Sequence, residues 1–238
     1  MAKDYQSYRE WKDWDGRSEA PEFQLAYFER ETERAGLRPP ARLLEVGFGN
    51  GEFLRWARGR GFEVTGWEII PELVGDLRAD GFEVAETDLA AEEFEPGNHA
   101  GRFDGIVALD VVEHLEVEAS IRFLRNTAAL LREGGRVLLR FPNGGSPFGL
   151  PLQNGDHTHR QALTESKLRQ LAIGTGLRLV EYGNTTRKID RRSKSAWIRP
   201  ALFVVRDLVE CIVGYLYFGR RLPLDKSCVA ILEKEVAK

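Results

Sequence analysis

Cysteine is nearly missing from this chain of 238 residues: only Cys211 and Cys228 occur. Both stand among apolar neighbours, with no C-x-x-C and no histidine at metal-ligand spacing. That excludes a disulfide scaffold and a zinc ribbon, and makes two buried, reduced thiols the expectation. Neither sign of charge dominates, since Lys+Arg number 34 against 37 for Asp+Glu, a net charge of -3. Nothing global therefore favours nucleic acid, and no nucleic-acid partner is expected. The opening Met1-Ala2-Lys3-Asp4-Tyr5 lacks the apolar core of a secretion signal, so the expectation is a cytoplasmic protein. The longest apolar stretch, Ala201 to Gly219, is interrupted by Arg206, Asp207 and Glu210. It is a poor candidate to span a bilayer, which takes about 20 mostly apolar residues.

What the chain does have is a glycine alternation behind an apolar strand: Leu43-Leu44-Glu45-Val46-Gly47-Phe48-Gly49-Asn50-Gly51. Glycine at such a turn lets a ligand lie against bare backbone and permits the positive φ that a tight strand-to-helix turn requires. The spacing is G-x-G-x-G, and the place that would complete G-x-G-x-x-G is Glu52. A pyrophosphate at the helix N-terminus would meet a carboxylate there, so a cofactor with ribose and adenine but no phosphate fits better.

Strand and helix patterns alternate from Ala41 onward, which implies parallel strands joined by right-handed helical crossovers. Helices are expected over about 52–60, 71–79, 116–132 and 164–175, with Thr164 as an N-cap. Arg136 to Phe141, Leu177 to Tyr182 and Ser227 to Leu232 read as the later strands. Four regions follow: an N-terminal helical arm or lid (1–40), a core (41–184), a basic and apolar helical insertion (185–224), and the final strand with the C-terminus (225–238). In the arm Tyr5, Tyr8, Trp11 and Trp14 recur every three residues, roughly on one helical face, either packed on the sheet edge or closing over the cofactor pocket.

In the insertion, Arg187, Lys188, Arg191, Arg192, Lys194 and Arg199 precede the apolar stretch. On a helix Arg206, Glu210 and Gly214 share a narrow stripe, while Leu202, Val205, Val209, Ile212, Val213 and Leu216 crowd the opposite surface. Such a helix must bury most of its circumference. Packing on the parent domain, a homodimer through 201–219, and a peripheral membrane contact at the inner face with the basic run on anionic lipid all remain open.

The glycine turn resembles the motif of class I S-adenosylmethionine-dependent methyltransferases, and further landmarks follow in that family's order. Val64 to Glu68 is similar to the second strand, Phe82 to Leu89 to the third strand and its turn, and Phe103 to Leu115 to the fourth strand and the loop facing the methyl group. The resemblance implies an α/β, Rossmann-like fold with a seven-stranded, mostly parallel sheet, flanking helices and an antiparallel last strand. It implies S-adenosylmethionine as cofactor, with Glu45, Gly47, Gly49 and Gly51 around the methionine end, Glu68 on ribose, Asp88 and Leu89 on adenine, and Asp110 on the floor near the reacting methyl.

A second resemblance is narrower. Phe141-Pro142-Asn143, Ser146-Pro147-Phe148-Gly149 and Gly155-Asp156-His157-Thr158-His159 are similar to a bacterial methyltransferase subgroup associated with polysaccharide biosynthesis. By that match His159 is the base and Asp156 its orienting partner or a substrate acceptor, while His157 occupies a variable place. His114, after the fourth strand, is a third catalytic candidate, and His99 is set aside. A loop histidine can also only hold its loop by bonding a backbone carbonyl, and His114 can simply cap or pack. Asp156, His157 and His159, even with Asp110 or Glu113, do not define a metal site, and no metal is expected.

The acceptor implied is a hydroxyl or terminal phosphate of a bacterial surface glycan or lipid-linked precursor. The alternatives are O-methylation of a quinone or aromatic small molecule, and an inactive cofactor-binding module docked on a membrane assembly. A glycan acceptor predicts polar and aromatic groups in its cleft; a quinone predicts an apolar tunnel.

Overall fold

The computed structural model describes residues 20–189, 192–194 and 196–236. The aromatic positions Tyr5, Tyr8, Trp11 and Trp14, and Arg191 of the basic run, lie outside the described residues. The elements in chain order are α1 (Glu22–Arg34), β1 (Arg42–Val46), α2 (Glu52–Gly59), β2 (Glu63–Glu68), α3 (Pro71–Ala79), β3 (Glu83–Glu86) and β4 (Phe103–Leu109). Then come α4 (Val117–Leu130), β5 (Leu131–Pro142), α5 (Leu150–Asn154), α6 (Glu165–Ala172), β6 (Leu177–Asn184), α7 (Arg199–Phe218) and β7 (Ser227–Lys234).

The strands form one seven-stranded sheet in the order β3-β2-β1-β4-β5-β7-β6. Neighbours from β3 to β5 are parallel, and β7 runs antiparallel to both β5 and β6. The expected α/β fold and its antiparallel last strand are both present. Alternation within each strand feeds two cores, one on each face. Leu44, Ile106 and Leu139 pack with Phe123 and Leu124 of α4, while Leu43, Val107 and Leu138 pack with Tyr27 and Phe28 of α1 and Phe53 and Trp56 of α2. Each such buried side chain contributes roughly 1.5–3 kcal/mol. The order reverses between β1 and β4, where open sheets of this kind bind ligands at the carboxyl ends of their strands.

Several boundaries differ from expectation. The helix expected to run to Arg132 ends at Leu130, and β5 begins at Leu131, which pairs with Phe103 before the register shifts. Leu131 is fully buried, so the sheet rather than the Gly134-Gly135 pair stops the helix. Thr164 does cap α6, its hydroxyl accepting from Lys167 N at 3.2 Å. Cys228 is buried as expected, but Cys211 is exposed, because it lies on the outer face of α7.

The largest departure is α7 itself. Only Glu210 and Gly214 of its 20 residues are buried. Its polar stripe faces the protein: Glu210 accepts from Leu224 N at 3.0 Å and Arg221 Nε at 2.8 Å, and Arg206 pairs with Asp225. Val213, placed by sequence on the apolar surface, is half-buried at the side of that stripe. Among the described residues the helix does not bury most of its circumference, because the partners of Arg206 and Glu210 turn its charged side to the body.

Candidate active site

The glycine turn after β1 is built from left-handed backbone: φ is 71° at Gly47, 51° at Gly49 and 71° at Gly51. At Gly47 an added Cβ would stand 2.6 Å from Val111 Cγ2, so no side chain is tolerated there. Gly47, Gly49 and Asn50 border a cavity of about 340 Å³. Gly51 does not line it; it lies behind the turn against Leu77 of α3, so its place is one of packing rather than the methionine end.

The acids expected of a nucleoside site gather around this cavity. At the end of β2, Glu68 Oε2 accepts from Gly49 N (3.1 Å), and Oε1 from Ile69 N (2.7 Å) and Ile70 N (3.3 Å). Burial pushes its carboxyl above the usual carboxylate range, opposed by those three N–H groups. Glu45 is pushed well up, by burial first and then by the charge of Glu68. Its Oε2 is buried with no hydrogen-bond partner among the described residues, which is the kind of atom an amine- or cation-bearing ligand satisfies. Asp88 Oδ1 accepts from Ala90 N at 2.8 Å, fixing the turn that carries the buried Leu89 along the same wall. Glu52 also lines the cavity at the start of α2. Paired acids and bare backbone fit a nucleoside carrying a positive centre, and Glu52 disfavours a phosphate at that helix end.

A second cleft, of about 720 Å³, shares a wall with the first: Gln24, Asp110, His114 and Arg140 border both. Asp110 follows β4 with φ at 61°, unusual for a residue with a side chain, and Arg140 Nε donates to its Oδ1 at 3.0 Å. The far wall is the loop after β5. Buried Asn143 ties that loop to the chain entering β7, its Nδ2 donating to Pro223 O (2.8 Å) and Asp225 O (3.0 Å). Ser146 Oγ donates to Leu224 O at 2.6 Å. These two motif residues therefore shape the cleft without lining it.

Asp156, His159 and His114 do converge there. Thr158 Oγ1 donates to Asp156 Oδ1 at 2.5 Å and lies 2.9 Å from His114 Nδ1. Burial raises the Asp156 carboxyl, but the Thr158 bonds and the two histidines outweigh it and hold it below the usual range. His159 Nδ1 is 3.0 Å from Gln153 O, and its Nε2 is 3.8 Å from Asp156 Oδ2. The His114 and His159 ring centroids are 4.7 Å apart. His157 is exposed and outside the cleft, and His99 packs on Phe103 and Trp67. Glu113, His114 and His159 bring ligand atoms within 4.8 Å of one another, a different set from the one weighed in the sequence.

Sequence reasoning passed over Arg140, Lys188 and Gln24 as site residues. Lys188 Nζ donates to Gln24 Oε1 and stands 4.2 Å from the Tyr27 ring centroid. Burial, then the charge of Arg140, lowers its ammonium to about 8. The available signal was Arg140 itself, a cation set among Leu138, Leu139, Phe141 and Pro142 at the carboxyl end of its strand.

The comparisons with known proteins agree with this geometry. The family described as "Methyltransferase domain" matches residues 19–182. Over 175 residues the chain is 28% identical to a ubiquinone biosynthesis O-methyltransferase of Xanthomonas axonopodis pv. citri (strain 306), covering 65% of this chain and 68% of that protein. Over 161 residues it is 27% identical to the protein of that name from Aeromonas salmonicida (strain A449), covering 61% and 66%. The chain thus spans about two thirds of the length of these relatives. A SAM dependent methyltransferase from Archaeoglobus fulgidus shares the fold, with a TM-score of 0.63, 19% identity, and coverage of 97% of this chain and 99% of that one. With more than half its length matched, and a cavity whose acids and glycines suit a nucleoside sulfonium, the chain belongs to the methyltransferase domain family and takes S-adenosylmethionine as its cofactor.

Proposed function

We propose that the protein O-methylates a hydroxyl of a polar, anionic acceptor, a bacterial surface glycan or its lipid-linked precursor. The observation that carries this reading is the lining of the second cleft. Arg140, Arg187, Lys188, Arg199, Arg206 and Lys226 all border it, with Tyr27 and Phe203. Arg140 pairs with Asp110, and Arg187 and Arg206 with Asp225. Lys188, Arg199 and Lys226 have no acidic partner among the described residues, so an anionic group on the acceptor supplies the missing charge. An apolar tunnel is not what this cleft offers.

S-adenosylmethionine supplies an electrophilic methyl group on a sulfonium. Glu45, Gly47, Gly49, Glu68, Asp88, Leu89 and Asp110 hold and orient it, and the shared wall brings the acceptor hydroxyl alongside. His159 accepts the hydroxyl proton. Its Nδ1 faces a carbonyl, which only accepts hydrogen bonds, so in the neutral ring Nδ1 carries the hydrogen and Nε2 the lone pair. Asp156 then stabilises the imidazolium from 3.8 Å. His114, on the wall between the two cavities, positions the acceptor. Positioning supplies most of the rate, with the base adding about 10²–10⁴.

The names of the relatives favour a second reading, O-methylation of an aromatic ubiquinone precursor. Labelled methyl transfer decides between them, with acidic oligosaccharides and polyprenyl-phosphate-linked sugars in one arm and a prenylated catechol in the other. Transfer to the sugars supports the first reading, and transfer to the catechol alone replaces it with the second. Binding of S-adenosylhomocysteine with transfer to neither favours the inactive-module account.

A further inference from the structure

We propose that α7 docks the protein on an anionic membrane surface, lying in the plane of the interface. At 100° per residue, the positions of α7 with apolar side chains and no charge form an unbroken arc over more than half the circumference. Val204, Leu208, Ile212, Tyr215 and Leu216 on that arc are 68%, 59%, 54%, 61% and 72% exposed. The charged positions Arg206, Asp207 and Glu210 occupy the remaining arc, toward the body, where Arg206 and Glu210 are bound. The helix is therefore amphipathic with its polar side inward, the reverse of a helix that packs on its own domain. A surface of this size on a soluble face marks a contact.

Charge selects the occupant. Between residues 192 and 221 six cations (Arg192, Lys194, Arg199, Arg206, Arg220, Arg221) stand against two acids, Asp207 and Glu210, in a chain that is net negative. Arg192, Lys194 and Arg199 gather at the start of the helix, while Arg220 and Arg221 at its end pair with Glu165 and with Asp207 and Glu210. A second copy docked in parallel through this face would bring the two basic starts together, and an antiparallel one would leave both starts without counter-charge. An anionic bilayer neutralises the basic start and accepts the apolar arc that follows it. Trp197 before the helix is 81% exposed and Tyr215 on the arc 61%, the residue types that settle at headgroup depth. Among the described residues no helix is long and apolar enough to cross a membrane, in keeping with a helix that lies on it. Arg199, Phe203 and Arg206 on the inward side also line the acceptor cleft, so the docked helix is a wall of that cleft.

The test is flotation of the full chain with phosphatidylcholine vesicles, with and without phosphatidylglycerol. The expected result is flotation with the anionic vesicles, weakened by salt and by Lys194→Glu with Arg199→Glu. The pair Leu208→Asp and Leu216→Asp should lower it by at least about tenfold. Both leucines are exposed, so thermal unfolding and S-adenosylhomocysteine binding should be unchanged in that variant, which separates lost docking from lost fold. No flotation by the wild type, or equal flotation by the Asp variant, overturns the proposal. A wild-type dimer that stays unbound and is split by the Asp pair assigns the face to a second copy instead.

Discussion

The Thr158 hydroxyl stands between Asp156 Oδ1 and His114 Nδ1, at 2.5 Å and 2.9 Å, and has one proton to give. Spending it on the carboxylate makes Thr158 an acceptor toward His114, so Nδ1 carries the imidazole hydrogen. One carboxylate thereby orients His114 through a hydroxyl and faces His159 directly, at 3.8 Å.

Replacing His159 by Ala is expected to lower turnover by about 10²–10⁴ while leaving S-adenosylhomocysteine affinity within a factor of about two. Asp156→Asn should act in the same direction by a smaller factor, because the imidazolium loses its counter-charge. Single-turnover methyl transfer beside calorimetry checks both. Undiminished turnover in His159→Ala removes the base.

Glu68→Gln keeps the shape of the side chain and replaces one acceptor oxygen by a donor. Gly49, Ile69 and Ile70 N–H groups need both oxygens, so one is left facing an amide nitrogen. A ribose hydroxyl donating to this carboxylate makes a charge-assisted bond worth roughly 1.5–3 kcal/mol, so without the charge S-adenosylhomocysteine should bind about tenfold or more weakly. Calorimetry measures it, and an unchanged affinity takes Glu68 out of cofactor binding.

The parts legible in the sequence are those that local chemistry decides. The strand-turn-helix around Gly47 and Gly49 was readable because positive φ restricts the residue type. Thr164 marked a helix start through its capping hydroxyl, and Pro71 opens α3 with its preset φ. What escaped depends on distant partners. Which side of α7 meets the body is decided by Leu224, Arg221 and Asp225, and no hydropathy pattern contains that choice. Lys188, Gln24 and Arg140 meet from three separate elements, so their cluster exists only once the chain is folded. Gly51 stands behind the cavity wall, a place the sequence leaves open because turn packing and cofactor approach select the same residue type.

Asn143→Ala removes two bonds donated to Pro223 O and Asp225 O and one accepted from Gly145 N, the Asp225 bond buried and the other two partly so. Each buried group left unsatisfied costs roughly 1–3 kcal/mol, so the variant should unfold at distinctly lower urea. Because Asn143 lies outside both cavities, the acceptor KM should rise through the loosened loop while cofactor affinity holds. Chemical denaturation and steady-state kinetics test the two halves, and a stability within about 0.5 kcal/mol of wild type contradicts the tying role.

Lys188 makes the acceptor step sensitive to alkaline pH. Burial and the nearby Arg140 hold its ammonium at about 8, below the usual 10.5. A depressed lysine binds fewer protons folded than unfolded between those values, so fold stability rises with pH across that window while the charge that attracts an anionic acceptor is lost. The two effects have opposite signs, which separates them experimentally. The KM for an anionic acceptor should climb as pH rises through about 8, and a bound anion shifts that midpoint upward by stabilising the ammonium. Lys188→Met should carry the high KM at every pH and lose the limb. A wild-type KM that is flat from about pH 7 to 9 would mean that Lys188 does not meet the acceptor.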